Sequence, residues 1–382
     1  MDNRIYFIAH YDIARSSIFR RRVSGAAVSK VDYIVGCLRK MGYSIVLLSI
    51  AGSATHELLP EQDLCIEEGY CIKARKAYPR RSFRSFAGDS YNIKLFLRKH
   101  LSKLSYKDIV ICYHATDCIE SLVSLKRKYN FKLILEVEEV YSDVAQSEKL
   151  RLRENSAFDA ADAFLLATEL LVSRVNPGLT KPCVVCSGVY RTSVQVAKKR
   201  EDRLIHVVYA GTLDPRKGGA AAAAAAAAFL DERYAMHILG DGSSSEVAAI
   251  LSAVADANAK TRGCRIVYEG YKTGIEFTEF IQSCHIGLSP QNPNAAFNST
   301  SFPSKVFMYL SNGLEVVSVD LPVFSDDLRG MLTLVSGNDP AILAAGVERA
   351  AASASERGDV AARMRALDEG FSRQLEELLE RL

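Results

Sequence analysis

The sequence predicts an α/β protein with two Rossmann-like domains, and three observations support this prediction. Short apolar runs alternate with longer helical patterns, an order typical of parallel sheets with crossover helices. This alternation stops in the polar, aperiodic stretch 190–203 and then restarts. The chain has 382 residues, more than one hydrophobic core usually holds. We therefore predict domains over 1–190 and 204–358, followed by a C-terminal helix over 359–382.

The first half opens with an apolar strand at 5–9, followed by a helix. The apolar residues of this helix recur every three or four positions, as one buried helix face requires. Gly42, close after Lys40, is the kind of residue that ends a helix. Further strands are predicted at 44–50, 108–113, 131–137, 162–167 and 182–186, with a helix at 117–129.

The second half repeats the alternation of strands and helices. Its alanine run 220–228 predicts a helix, because alanine is the best helix former. Strands are predicted at 204–210, 235–239, 264–268, 285–289 and 314–319, and further helices at 243–257, 275–284 and 303–310.

The composition is that of an ordinary globular protein, with 48% hydrophobic and 24% charged residues. The N-terminal apolar run is too short for a signal peptide or a membrane span. Nine cysteines without a framework of spacings are typical of a reducing compartment, so we predict a cytoplasmic protein. Cys183 and Cys186 form a CxxC without a second pair or a histidine at metal-ligand spacing, and no metal site is expected.

The basic stretch, residues 73–103, contains ten Lys or Arg and one acid, Asp89. Two interpretations remain open: it binds anionic lipid head groups, or it is the solvated face of a helix. Nucleic acid is a third candidate, but no recognition motif supports it.

The segment 207–219, VVYAGTLDPRKGG, predicts an anion site in the second half. A buried strand ends at Gly211, which lets a ligand approach the backbone closely, and a helix begins after Gly219. Lys217 supplies a point charge suited to a phosphate, and Arg216 precedes it. The alternative is a simple strand-to-helix turn with a solvated lysine.

The segment 298–320 predicts a second strand-loop-helix unit of the same polarity, which would face the same cleft. Lys305 lies in the first turn of its helix, where a cation is disfavoured unless an anion is bound, although a solvated lysine explains it equally. Hydroxyl groups precede it at Ser299, Thr300, Ser301 and Ser304.

These segments resemble the retaining glycosyltransferases of family four. Residues 211–218 resemble their GxLxxxKG signature, and PSKVFMYLSNGLEVVS resembles their PxKxxEYLAxGxPVV segment. ADAFLLATELL and CSGVYR resemble the ADxxxxxSxxL and xNGVD segments of the first half. The resemblance implies the GT-B fold: two Rossmann-like domains facing across a cleft, with a C-terminal helix able to cross back.

The resemblance also implies an activity. The enzyme would move a sugar from a UDP- or GDP-sugar to a glycan or a polyprenyl-diphosphate-linked acceptor, with retention and with no metal or other cofactor. The clustered cations of the loop 15–25 and of the basic stretch motivate a further hypothesis about its setting: cell-surface polysaccharide or lipopolysaccharide assembly, with peripheral attachment to the inner face of an anionic membrane. Two alternatives remain: a sugar-nucleotide epimerase of the same fold, and a catalytically degenerate protein that binds a nucleotide or a partner.

The resemblance assigns roles in the donor site and marks departures from the family. Lys217 would grip the donor diphosphate. Thr212 stands where the family has an arginine, so Arg216 is the expected second cation. Met308 stands where a glutamate binds the donor ribose, and Thr300 stands where a second glutamate is usual.

The first half supplies the candidates for the sugar ring and the acceptor. Glu138 lies where the family has a His-containing loop near the donor sugar. A carboxylate at this position would stabilise developing positive charge on the sugar ring or orient the acceptor hydroxyl. His114 is the alternative polar group, and for both residues an ordinary structural role is the competing interpretation. Arg15, Ser24 and Gly25 lie on the loop expected to meet the acceptor.

Overall fold

The computed structural model of this chain describes residues 3–13, 20–79, 83–215, 218–294, 301–353 and 359–382, without the side chains of residues 83–88. The chain divides into two compact units. Unit 1 consists of Met1–Val189, Thr300–Phe302 and Glu369–Leu382, and unit 2 consists of Tyr190–Ser299 and Pro303–Asp368.

Unit 1 is built on one sheet, which has eight strands in the described part of the chain. The strands are β1 (Arg4–Ala9), β2 (Ser44–Ser49), β3 (Gln62–Glu67), β4 (Tyr70–Ala74), β5 (Ile109–Tyr113), β6 (Lys132–Val137), β7 (Ala163–Leu166) and β8 (Cys183–Val185). Their order is β3-β4-β2-β1-β5-β6-β7-β8, and every neighbouring pair is parallel except β3 with β4. The central strands are buried on both faces, as parallel sheets usually are.

The helices of unit 1 connect these strands. They are α1 (Gly25–Lys40), α2 (Phe83–Leu101), α3 (Ile119–Tyr129), α4 (Tyr141–Ala145), α5 (Glu148–Ala160) and α6 (Val172–Val175). The predicted end of α1 is confirmed: Gly42 has a φ of 87° and donates its N–H to the Arg39 carbonyl. The predicted strands and helices of this half are confirmed within one or two residues at most ends, and α1 extends three residues beyond the apolar pattern at its start.

Unit 2 is built on a parallel sheet, with six strands among the residues described. They are β9 (Ile205–Ala210), β10 (Tyr234–Leu239), β11 (Arg265–Gly270), β12 (Ile286–Ser289), β13 (Glu315–Val319) and β14 (Thr333–Val335). The helices are α7 (Gly219–Ala227), α8 (Ser244–Lys260), α9 (Gly274–Ser283), α10 (Lys305–Ser311), α11 (Asp326–Arg329) and α12 (Pro340–Ser353). The sheet order is β11-β10-β9-β12-β13-β14.

The two sheets share one topology. In each, the first strand lies in the middle, the next ones extend the sheet to one side, and the chain then crosses to the other side. This is the Rossmann order 3-2-1-4-5-6, to which unit 1 adds β3 and β8 at its edges. The prediction of two Rossmann-like domains is therefore confirmed.

Several elements were absent from the sequence prediction. The β3–β4 hairpin was missed because the Gln62–Glu67 strand is an edge strand with mostly exposed side chains, which leaves little hydrophobic alternation to detect. The short helices α4 and α11 contain too few residues to show a helical period. The helix predicted from residue 303 begins at Lys305, after Pro303 has accepted a hydrogen bond from the Val306 N–H.

The alanine run forms α7, as predicted, and this helix contacts both α8 and α12. Five of its alanines are buried: Ala220, Ala223, Ala224, Ala226 and Ala227. Because alanine side chains are small, the neighbouring helices and the sheet can pack closely against several faces of α7.

A chain of polar side chains crosses the interior of unit 2. His206 Nδ1 lies 2.8 Å from His237 Nε2, and both rings are nearly inaccessible to solvent. Carboxylates meet the two outer ring nitrogens, Asp202 Oδ1 at 2.7 Å from His206 and Glu269 Oε1 at 2.7 Å from His237. The His206 backbone N–H also donates to His285 Nδ1. Buried polar groups are thus paired with one another, as a stable interior requires.

The C-terminal helix, α13, spans Val360–Glu380. Its residues from Glu369 onward belong to unit 1, where the Phe371 ring stacks on Tyr33 with 5.5 Å between centroids. The helix therefore returns to the first half of the chain. The stretch 190–203, predicted as a linker, belongs to unit 2 and is tied to α9 by hydrogen bonds from the Val196 and Ala197 N–H groups to Gln282 Oε1.

Candidate active site

The point where the strand order reverses in unit 2 lies between β9 and β12. Ligands of open α/β sheets bind outside the carboxyl ends of the strands at such a point. The two strands pair at only two positions, Val207 with Ile286 and Val208 with Gly287, and then separate. Tyr309 fills the gap: its hydroxyl accepts a hydrogen bond from the Ala210 N–H at 2.7 Å and donates to the Leu288 carbonyl at 3.5 Å.

Glycines allow this end of the sheet to pack without side chains. A Cβ at Gly240 would lie 2.1 Å from the Gly211 carbonyl oxygen, so the loops after β9 and β10 touch backbone to backbone. A Cβ at Gly287 would lie 2.2 Å from the Tyr309 ring, and one at Gly219 would lie 2.8 Å from the Tyr209 ring. Real Cβ atoms do not approach other atoms this closely, so the arrangement depends on glycine.

The described parts of the two predicted donor segments meet within unit 2 at Gly211 and Lys305. Lys305 Cε lies 3.4 Å from the position that a Cβ would take on Gly211, and Lys305 Nζ lies 5.4 Å from the centre of the Tyr209 ring. A cation from the start of α10 therefore stands beside the glycine turn after β9. The nine-residue α7 begins eight residues after Gly211, and its first N–H groups have no partner within the helix.

Of the other predicted donor residues, Thr212, Ser301 and Ser304 lie within the described part of the chain. The Thr212 side chain is used inside its own loop, since Oγ1 accepts from the Asp214 N–H at 3.2 Å. Ser304 is exposed and makes no side-chain cap, and Ser301 is half-exposed. The remaining predicted donor residues lie outside the described residues: Arg216, Lys217, Ser299 and Thr300.

Met308, which replaces the family glutamate, is half-buried on α10. Its carbonyl accepts hydrogen bonds from Ser311 Oγ at 3.0 Å and Asn312 Nδ2 at 2.8 Å. The position thus contributes a thioether and no charge to its surroundings.

Unit 1 holds a buried cluster of charges at the carboxyl end of β6. Lys30 Nζ donates to Glu138 Oε1 at 2.5 Å and lies 2.7 Å from Glu136 Oε1. The Lys30 and Glu136 side chains are 6% and 0% exposed, whereas Glu138 is 22% exposed. The Lys30–Glu136 contact has ion-pair distance without hydrogen-bond geometry, so both Glu136 oxygens lack a hydrogen-bond partner among the described residues.

The burial of this cluster shifts the pKa values of its members. Burial raises the pKa of Glu136 well above its ordinary value, and Lys30 opposes the shift. Burial acts in the other direction on Lys30, but the two carboxylates outweigh it and raise the pKa of the amine. The nearby Cys186 thiol has its pKa raised to about 12, mainly by burial. Glu138 is the exposed end of the cluster, and it is oriented by a lysine that cannot reach bulk water.

His114 follows β5 and is 2% exposed. Neither ring nitrogen has a hydrogen-bond partner within the described part of the chain, and Nε2 lies 3.4 Å from Glu154 Oε1. The ring packs beside Tyr141 and Phe158. Burial lowers the pKa of His114, while Glu154 opposes the shift. In this structure Glu138, not His114, reaches solvent.

The loop after β1 contains the predicted acceptor residues. Arg15 lies outside the described residues, whereas Ser24 and Gly25 are exposed at the start of the 16-residue α1. Asp12 Oδ2 holds the end of this loop by accepting from the Arg20 and Arg21 N–H groups, each at 2.8 Å.

Another polar pair bridges the reversal of strand order in unit 1, where His10 Nε2 lies 3.1 Å from Asp117 Oδ1. Burial acts to raise the pKa of Asp117, but the hydrogen bond from His10 acts against it, and the pKa is lowered overall. Sequence reasoning missed this pair, because nothing in the sequence links two residues 107 positions apart.

Not every cation of the basic stretch lies on the protein surface. Arg75 is 2% exposed, donates to the Ile50 carbonyl at 2.7 Å and pairs with Asp89 at 2.9 Å. Lys73 pairs with Asp63, and Lys99 pairs with Glu61. Neither interpretation of the basic stretch, lipid binding or a solvated helix face, therefore applies to Arg75, whose side chain is buried inside unit 1.

Among the described residues, no group of three or more His, Cys, Asp or Glu side chains is arranged to hold a metal ion. In the same part of the chain, no helix combines the length and the apolar character needed to cross a membrane.

Comparison with known proteins gives a fold match without a sequence match. No protein-family model and no curated protein matches the chain. Solved structures do. A sucrose-phosphate synthase from Thermosynechococcus elongatus is similar with a TM-score of 0.72 at 15% identity, over 99% of this chain and 98% of that one. This chain has the GT-B fold.

Two further structures support the assignment of the fold. Anabaena HepE in complex with UDP and glucose is similar with a TM-score of 0.63 at 12% identity, over 99% of this chain and 100% of that one. A UDP-forming α,α-trehalose-phosphate synthase from Burkholderia xenovorans has a TM-score of 0.66 at 13% identity, over 100% and 99% of the two chains. The likeness covers the whole chain, so both predicted Rossmann-like domains of the GT-B fold are confirmed.

Proposed function

We propose that this chain is a glycosyltransferase that uses a UDP- or GDP-sugar as donor. One observation carries the proposal: in unit 2 the glycine turn after β9 and Lys305 of α10 stand side by side where the strand order reverses. A glycine turn, a helix start and a cation form a site for a diphosphate. The fold agrees, since HepE was solved with UDP and glucose and the Burkholderia synthase is UDP-forming.

The chemistry would be the transfer of a glycosyl group with retention of configuration and without a metal. The bond between the anomeric carbon and the diphosphate oxygen breaks, the acceptor hydroxyl oxygen bonds to the same carbon, and the hydroxyl proton passes to the departing diphosphate. The departing diphosphate gains negative charge in this step. Lys217, Arg216 and Lys305 would stabilise that charge together with the first N–H groups of α7.

Glu138 would stabilise the positive charge that develops on the sugar ring or orient the acceptor hydroxyl. Its support is the hydrogen bond from Lys30 at 2.5 Å, which fixes one carboxylate oxygen while the side chain stays 22% exposed. A carboxylate held by a buried partner is positioned before the substrate arrives, which is the condition for electrostatic stabilisation.

The test is to incubate the full chain with UDP- and GDP-sugars and to measure the released nucleotide. Lys217→Ala should lower kcat/KM by about 10²- to 10³-fold, the loss typical of one group that stabilises transition-state charge. Lys260→Ala, at the exposed end of α8, is the matched control and should leave the rate unchanged. A Glu138→Gln variant that keeps full activity would remove Glu138 from the mechanism.

The outcomes also separate the alternatives. Epimerisation of the donor sugar without transfer would indicate the epimerase. Tight binding of UDP or GDP without any turnover would indicate a degenerate nucleotide-binding protein. Absence of both binding and release for every donor contradicts the whole proposal.

The acceptor would carry a phosphate and bind at the exposed start of α1, near Ser24 and Gly25. Two sources share this chemistry: a polyprenyl-diphosphate-linked sugar of cell-surface polysaccharide assembly, and a soluble sugar phosphate of the kind named for the synthases of similar fold. Supplying each separately with the preferred donor distinguishes them, and our proposal requires transfer to the lipid-linked sugar or its glycan.

We also expect a cytoplasmic location with peripheral attachment to an anionic membrane. The support is the outer face of α2, where Tyr91 and Leu95 are 63% and 45% exposed beside exposed Lys94 and Arg98. Each cation near an anionic surface contributes roughly 1 kcal/mol. Flotation with phosphatidylglycerol vesicles should weaken in Lys94→Glu/Arg98→Glu.

The matched control for this experiment is a double charge reversal on another exposed helix end, for which α3 offers adjacent Arg127 and Lys128. The control should float as the unmodified chain does. No co-flotation of the unmodified chain at low salt would contradict membrane attachment.

A further inference from the structure

Two cysteines face each other across the edge hairpin of unit 1. In the antiparallel pair β3–β4, Cys65 is the direct partner of Cys71. Directly opposed residues in such a pair place their side chains on the same face, with Cα atoms about 4.5–5.5 Å apart. A disulfide needs a Cα separation of about 4.4–6.8 Å. The register therefore places the two Cα atoms within the separation that a disulfide spans.

The two thiols differ in accessibility, which gives them different chemical roles. Cys65 is exposed and Cys71 is half-buried. Burial raises the pKa of Cys71, although the nearby cations Lys73 and Arg4 act against the shift. An attacking thiol must be both accessible and ionisable, so Cys65 is the first to react and Cys71 is the resolving thiol.

The other cysteines provide an internal comparison. None of the nine forms a disulfide in the structure. Cys112 and Cys118 have their sulfur atoms 3.9 Å apart, but they are only 1% and 0% exposed, so an oxidant in solution cannot reach them in the folded protein. In the CxxC, Cys186 is completely buried. Among these pairs, Cys65 and Cys71 alone combine proximity with access.

We propose that Cys65 and Cys71 are a site of reversible oxidative modification, closed to a disulfide by a low-molecular-weight disulfide such as oxidised glutathione. The Cys65 thiolate attacks one sulfur of oxidised glutathione, forms a mixed disulfide and expels one glutathione thiolate. The Cys71 thiolate then attacks Cys65 Sγ and expels the second glutathione. The two thiol protons leave with the two reduced glutathione molecules, so one disulfide is reduced as one is formed.

The modification would act on the inner side of the hairpin. Leu64 pairs with Ile72 on the opposite face from the cysteines, and both line a small cavity together with Tyr11, Arg20 and Arg21. A cross-strand disulfide fixes the hairpin that forms one wall of this cavity. The loop that follows Tyr11 ends at these arginines, so oxidation would reach the surroundings of the predicted acceptor loop.

The test needs only the intact chain and oxidised glutathione, because one tryptic fragment, residues 41–73, contains both cysteines and no others. After treatment of the folded protein, this fragment should lose the mass of two hydrogen atoms, and the titre should fall by two of the nine thiols. Reduction with dithiothreitol should restore both. An unmodified fragment, or glutathione retained on Cys65 of the unsubstituted chain, overturns the proposal.

A pair of variants tests the order of attack. In Cys71→Ser, glutathione should stay attached to Cys65, because the resolving thiol is missing. In Cys118→Ser, which removes one member of the buried pair, the disulfide should form at the same rate as in the unsubstituted chain. Equal trapping of glutathione in both variants would mean that Cys71 plays no part.

Discussion

The two units carry the same strand order but manage their carboxyl ends in opposite ways. In unit 2 this end is built from glycines and tyrosines, with Lys305 beside Gly211. In unit 1 it is built from charges that neutralise one another, as in the cluster of Lys30, Glu136 and Glu138. The donor diphosphate is therefore expected to bind unit 2, where backbone approach is open, whereas the carboxyl end of β6 in unit 1 is suited to holding carboxylates in position.

The largest effect on stability is expected from removing Lys30, the buried cation of the charge cluster in unit 1. Lys30→Met leaves Glu136 buried without a counter-charge, and breaking one partner of a buried ion pair costs about 3–5 kcal/mol. The free energy of unfolding in urea measures this loss. The double variant Lys30→Met/Glu136→Gln should recover most of it, since it leaves no uncompensated buried charge: Glu138, the remaining member of the cluster, is 22% exposed. A loss below about 1 kcal/mol in Lys30→Met would show that Lys30 does not stabilise the buried charge of Glu136.

The glycines of unit 2 should be next in effect. Gly240→Ala places a Cβ 2.1 Å from the Gly211 carbonyl, a backbone atom that cannot rotate away. Overpacking of this kind costs about 1–3 kcal/mol. Donor binding should weaken as well, because the turn after β9 must move. Gly337→Ala, where a Cβ meets nothing within 4 Å, is the matched control, and equal stability of the two variants would remove the argument for a glycine-built site.

A smaller loss is expected from Tyr309→Phe. The ring that packs on Gly287 is retained, but the Ala210 N–H loses its acceptor at the reversal of strand order. A buried donor left without a partner costs about 1–3 kcal/mol. Hydrogen exchange of the Ala210 amide should speed up together with that of neighbouring β9 amides. Unchanged exchange would show that Tyr309 only fills space.

The smallest expected effect is a dependence on pH in unit 1. Because burial lowers the pKa of His114, the unfolded chain binds a proton more readily than the folded one. Stability from this group is therefore complete above the ordinary pKa of histidine and is lost as the pH falls below it. His114→Leu should flatten this part of the pH profile of urea unfolding. If His114→Leu also abolished nucleotide release while remaining folded, His114 would have a catalytic role that its burial does not suggest.

The fold could be predicted well from the sequence, and the candidate site only in part. Strands such as Ile205–Ala210 are local apolar runs, and α1 repeats its apolar residues with a helical period, so both are visible without a structure. The edge strand β3 has neither signal. The cations of the basic stretch looked alike in sequence, yet Arg75 is interior and Lys94 is exposed. Exposure depends on which face of an element meets its neighbours.

The sequence by itself determined the order of the buried strands and longer helices and the two Rossmann-like domains, because periodicity, glycine turns and helix ends are local properties. Only the tertiary structure decided that Lys30 pairs with two glutamates more than 100 positions away, that Tyr309 bridges β9 and β12, and that Cys65 faces Cys71. Such partners are set by strand order and register, and a side chain acquires its neighbours only when the sheet has formed.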